Sequence, residues 1–133
     1  MIRGVPHLQL AKFAATGTLV AAIYFVITTA LVLAGAPTQV AVVVAYACSL
    51  AVHFTVNRRF VFVSSSGYAL HLSAQGSRYL VVALSSYACT ALAVALAARA
   101  GIPSLLAALG VPVLFAAVSF LTLRGWVFRQ AVE

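Results

Sequence analysis

Four long apolar stretches, at residues 13–33, 38–56, 79–98 and 104–123, alternate with shorter polar ones, and none of the four contains Asp, Glu, Lys or Arg. Each has the length of roughly twenty residues that a helix needs to cross the hydrocarbon of a bilayer. The pattern predicts an all-α membrane protein of four transmembrane helices. The first stretch is too long for the apolar region of a cleaved leader and leads straight into another span, so it is read as a retained helix. Turn chemistry groups the spans in pairs. Gly35-Ala36-Pro37 and Gly101-Ile102-Pro103 each put Gly where one helix ends and Pro where the next begins, predicting two tight helical hairpins. Between them lies a longer segment, residues 58–77, in which Ser64-Ser65-Ser66-Gly67 reads as a flexible linker.

Composition narrows the class. With 65% hydrophobic and 7% charged residues, the chain has too little polar surface to cover a soluble globule. Its 133 residues make one domain, and four helices enclose little interior, so a sizeable substrate calls for a groove shared between subunits. A homo-oligomer, dimer or tetramer, is therefore expected, with small residues such as Gly17, Ala21 and Ala22 or Ala93, Ala97 and Ala98 supplying close contacts. The cations give the orientation. Arg3 and Lys12 precede the first span, Arg58, Arg59 and Arg78 lie between the second and third, Arg124 and Arg129 follow the fourth, and Arg99 alone is on the other side. Both termini and the central segment are thus predicted on the cytoplasmic side. The net charge of +7 does not indicate a nucleic-acid binder, because the cations flank spans rather than line a water-facing stripe.

An internal repeat appears when the first half is shifted by 66 residues. Lys12 then falls on Arg78, Phe13 on Tyr79, Gly35 on Gly101, Pro37 on Pro103, Phe54 on Phe120, Arg58 on Arg124, Val61 on Val127 and Phe62 on Phe128. Each unit holds two spans, so both enter the membrane in the same direction, as a parallel repeat with halves of about 1–66 and 67–133. Such repeats are common in transporters, and any duplicated hairpin leaves the same trace.

Polar residues on the second helix form one constellation. Tyr46, Ser49, His53 and Asn57 recur at three- and four-residue intervals, which stacks them on one face that should turn inward in lipid. They are either a polar track for a headgroup or hydrogen-bonding glue between helices. Ser119, the repeat equivalent of His53, and Ser85, Ser86 and Thr90 extend the set, whereas Thr16, Thr18, Thr28 and Thr29 are expected to bond back to their own helix. Several chemistries drop out. Cys48 and Cys89 lie inside spans and form no CxxC, the histidines are isolated, and there is no P-loop, nucleophile elbow or paired carboxylate. The chain is read as a non-enzyme with no cofactor and no metal.

The ends of the second and fourth helices carry the sharpest motif, Asn57-Arg58-Arg59-Phe60-Val61-Phe62 and its echo Arg124-Gly125-Trp126-Val127-Phe128. With Lys12-Phe13 and Gly17 in the first helix and Arg78-Tyr79 opening the third, the pattern resembles the GtrA-like family over nearly the whole chain. These are small four-helix bacterial membrane proteins. Many members carry Asn and Asp in the first helix where this chain has Val20 and Tyr24. The resemblance implies a place in cell-surface polysaccharide synthesis, moving a polyprenyl-phosphate-linked sugar, typically on undecaprenyl, across the cytoplasmic membrane to a glycosyltransferase outside. Arginine has a planar fork of donors that suits phosphate, which makes Arg58, Arg124, Arg59, Arg78 and Lys12 candidates for holding it at the inner headgroup level. As plain anchors to lipid headgroups the same residues would look alike. Two functions are compatible with this pattern: a passive lipid-sugar flippase, or a non-transporting scaffold that recruits a glycosyltransferase. Drug export of the small four-helix type is set aside, since it relies on a membrane carboxylate and the sole acidic residue is Glu133.

Overall fold

A computed structural model of the chain describes residues 6–63 and 67–131. Arg3, the Ser64-Ser65-Ser66 part of the expected linker and Glu133 lie outside the described residues. The described chain is helical: α1 (Pro6–Leu33), α2 (Thr38–Val56) continued by a π turn (Asn57–Val61), α3 (Leu72–Arg99), and α4 (Ser104–Thr122) continued by a second π turn (Leu123–Val127). All four helices are long and apolar enough to cross a membrane. Every boundary in the second set stands 66 residues after its counterpart in the first, from Pro6 and Leu72 to Val61 and Val127.

Two boundaries differ from the apolar pattern. Helices α1 and α3 begin seven residues before the first and third apolar stretches, at Pro6 and Leu72. Each is 28 residues long. At 1.5 Å per residue that is about 42 Å, some 12 Å more than the hydrocarbon needs. The surplus is the polar opening of each helix, so Lys12 and Arg78 sit within helices rather than in loops. The segment read as a long connection between hairpins is accordingly helical at both ends.

The chain divides into two compact units, Met1–Val63 and Ser64–Glu133, each a hairpin. In the first, α1 ends in a glycine-capped turn. Gly35 takes φ +92°, its N–H donates to the Val32 carbonyl at 3.0 Å, and that of Ala36 to Leu31 at 3.0 Å. These are the paired bonds of a Schellman cap, which satisfy carbonyls that lipid cannot. The hairpin interior contains Phe13, Ala41, Ala45, Val61 and Phe62. Alanines at 41 and 45, both fully buried, let α1 and α2 approach closely.

The second unit closes the same way. Gly101 takes φ +81°, with its N–H on Ala98 at 3.2 Å and that of Ile102 on Ala97 at 3.0 Å. Its interior is Tyr79, Val82, Ala107, Phe120, Leu123, Val127 and Phe128. The entry to α3 is tied to the end of the chain by an isolated antiparallel bridge between Tyr68 and Gln130, the Ala69 N–H donating to Arg129 at 2.9 Å. Tyr68 packs on Phe128, ring centroids 6.3 Å apart. Outward, the helices present Phe25, Leu33, Val43, Leu92, Leu105 and Val113, all well exposed, as expected of elements whose solvent is lipid rather than water.

Candidate functional site

The polar residues of α2 run along one face toward the end of the first hairpin where the π turn begins. Ser49 is buried, Asn57 is fully buried, and Tyr46 and His53 are half-buried. The His53 ring lies 5.8 Å from that of Phe13, which also meets Phe62 at 6.4 Å, so the apolar floor of this end is aromatic. Asn57 donates from Nδ2 to the His53 carbonyl at 2.8 Å, while its Oδ1 is buried with no hydrogen-bond partner. The Ser49 hydroxyl is in the same position.

The α-helical spacing of α2 carries Asn57 onto the same inward face as Ala41, Ala45 and Ser49, and the π turn redirects the chain after it. The Phe62 N–H reaches back five residues to the Asn57 carbonyl at 2.8 Å, and Phe128 does the same to Leu123. The extra residue per turn rotates the downstream chain, so that Val61, Phe62, Val127 and Phe128 are buried. Arg58 and Arg124 lie in these turns, each half-buried, and Arg59 is exposed. Lys12 is exposed on α1, its carbonyl accepting from the Thr16 hydroxyl at 2.8 Å.

The second hairpin arranges its candidates differently. Arg78 stacks on Trp126, its guanidinium carbon 4.9 Å from the ring centroid, and Nη1 donates to the Trp126 carbonyl at 3.1 Å. Ser119 shares a hydrogen bond of 2.8 Å with Ser86 across α3 and α4. That bond is a helix-to-helix tie, so these two hydroxyls serve packing. Ser85 lines an open groove of about 290 Å³ with Trp126, Thr122 and Phe115.

The threonines divide. Thr16 and Thr18 bond back to carbonyls of α1, but the Thr28 hydroxyl is buried without a partner. Cys48 and Cys89 are free thiols, both exposed, so they face outward rather than fill the interior. Two residues escaped the sequence pattern altogether. Gln9 and Gln75 are buried at 8% and 0% exposure near the start of α1 and α3. Gln75 Nε2 donates to the Leu70 carbonyl at 2.8 Å, and Gln9 Oε1 has no partner. They stand 66 residues apart, so the repeat offset that pairs Lys12 with Arg78 would have found them.

Buried polar groups thus gather in the first hairpin. The repeat counterparts of Ser49, Asn57 and Thr28 are Phe115, Leu123 and Val94. These three polar groups of the first hairpin are each answered by an apolar one in the second, whereas Gln9 is answered by Gln75.

The family GtrA/DPMS, transmembrane domain, matches residues 12–128. The chain belongs to the GtrA/DPMS family. Its match runs from Lys12 to Phe128 and contains every candidate residue read from the sequence, while Gln9 precedes it. As a GtrA/DPMS domain the chain is a multi-pass membrane protein of glycosyl-lipid and polysaccharide synthesis, from a family that is generally non-catalytic. No curated protein and no solved structure matches it.

Proposed function

We propose that this GtrA/DPMS domain moves a polyprenyl-phosphate-linked monosaccharide from the inner to the outer leaflet of a bacterial cytoplasmic membrane, with both termini in the cytoplasm. One observation carries the reading. The fully buried Asn57, with an unpartnered carbonyl oxygen, directly precedes Arg58 and Arg59 at the end of a membrane-length helix. A buried acceptor without a partner costs about 1–3 kcal/mol, and hydroxyl donors such as those of a sugar would relieve it. The adjacent guanidinium groups suit the phosphate that joins sugar to lipid. Headgroup and phosphate therefore have matching partners within one turn of chain, at the leaflet where positive-inside charge places them.

In this reading the polyprenyl tail stays in lipid while the headgroup crosses, and consumption of the sugar outside gives direction. Arg124 offers the equivalent contact at the end of the second hairpin, and Gly17, with open space where a Cβ would stand, leaves α1 able to pack closely against another copy of the chain. Reconstitution into liposomes with undecaprenyl-phosphate glucose tests the proposal. The purified protein should make the sugar accessible to an impermeant reagent on the opposite face. Accessibility equal to that of protein-free liposomes refutes it, and accessibility that depends on an added glycosyltransferase favours a recruiting scaffold.

A further inference from the structure

The one tryptophan of the chain, Trp126, stands at a boundary in the second hairpin. Arg78 stacks on its ring and donates to its carbonyl, and the ring also lines the groove of about 290 Å³ between α3 and α4. Arg78 precedes the groove residues Val81 and Val82 by one turn of α3, and Trp126 lies in the π turn that follows Thr122. The cation therefore sits at one end of the groove. Stacking and a single carbonyl bond engage little of a guanidinium's five donors, so Arg78 is oriented with donors left for an anion.

Within the groove, two of the three hydroxyls are bonded to the protein, and Ser85 is the third. Ser86 is bonded to Ser119, and Thr122 donates to the Val118 carbonyl at 2.9 Å. Apart from Ser85, the remaining walls, among them Val82, Phe115 and Val118, are apolar. An apolar occupant joined to an anion fits this pairing. We infer that the groove holds the phosphate-proximal end of a single apolar chain esterified directly to phosphate, the first isoprene units of a polyprenyl phosphate, with Arg78 on the phosphate. The inference rests on the proposed function for the identity of the carrier.

The spacing favours this occupant over a glycerophospholipid. In a polyprenyl phosphate the anion adjoins the chain, and here only the indole stands between cation and groove. A glycerophospholipid interposes glycerol and two esters, which would require polar partners between Arg78 and the groove. Indole, apolar in its body and polar at one edge, suits the junction. The first hairpin has no equivalent, because Lys12 replaces Arg78, Phe60 replaces Trp126, and the buried Ser49 stands in place of Phe115. Lysine lacks both the flat face and the donor fork.

Trp126 reports on its own site. Its fluorescence, followed while undecaprenyl phosphate is added to the purified full chain in nanodiscs, should change and saturate. Arg78→Gln should raise the half-saturation concentration about tenfold or more, as loss of a charged hydrogen bond does. Val118→Phe, at a position 52% exposed and outside the core, should raise it too by filling the groove. Arg99→Gln, which removes the same charge at the far end of α3, should leave it unchanged, and undecaprenol should bind more weakly than the phosphate. A phosphatidylglycerol titration that reproduces the undecaprenyl phosphate curve, or binding untouched by both Arg78→Gln and Val118→Phe, overturns the inference. Transport in liposomes without any Trp126 response overturns it while sparing the proposed function. Saturable binding with these variant effects but no transport supports it and refutes the flippase reading.

Discussion

Replacing Asn57 by leucine should make the protein more stable and less active. Leucine already occupies the equivalent place in the second hairpin, where Leu123 is 2% exposed against 0% for Asn57, so the backbone accommodates it. The change removes a buried carbonyl oxygen that has no partner, a gain of about 1–3 kcal/mol. It also removes the bond from Nδ2 to the His53 carbonyl, worth about 0.6 kcal/mol inside a membrane protein. That carbonyl keeps the backbone N–H of residue 57, so no new orphan is created. The net expectation is a stabilisation of about 1–2 kcal/mol. Equilibrium unfolding in bicelles, followed by circular dichroism, measures the first effect, and liposome transport of undecaprenyl-phosphate glucose measures the second. The trade between stability and activity is the signature of a polar group kept for a ligand. Destabilisation by Asn57→Leu would refute the packing argument. Stabilisation with wild-type transport would show that the buried amide has no part in handling the headgroup.

Arg58→Lys and Arg124→Lys should each slow transport despite conserving charge, and the Gln variants should slow it more, whereas Arg129→Gln should matter little; equal losses in all three Gln variants would make the arginines simple anchors. Gly35→Ala and Gly101→Ala should each destabilise by about 1–2 kcal/mol because of their positive φ, while Gly17→Ala should be neutral or slightly stabilising in the same unfolding assay. With Cys48 and Cys89 replaced by alanine, a cysteine at Ala36 or Ile102 should react with an impermeant maleimide from outside, and one at Ser65 only after the membrane is opened; the reverse pattern would overturn the proposed orientation.

Chain pattern alone was enough to place the four spans and their two glycine turns, because a segment in lipid must satisfy its backbone internally and so becomes helix wherever it is long and apolar enough. The Gly35 and Gly101 caps were legible for the same kind of reason, since few residues other than glycine accept the backbone conformation they need. The cation-aromatic marks at Arg58 and Arg124 were legible as local runs, and the offset of 66 tied them together. The pattern did not contain which side chains two antiparallel helices bring together. The polar openings of α1 and α3 have no apolar signal, so their extra seven residues, and the place of Lys12 and Arg78 inside helices, emerged only with the structure. A π turn has no residue signature, yet it decides that Val61 and Phe62 point inward after Asn57. The stacking of Arg78 on Trp126 and the bond between Ser86 and Ser119 join residues 48 and 33 positions apart. Periodicity assigns a residue to a face of its own helix; the partner it meets there is set by the crossing and register of two helices, which only their packing determines.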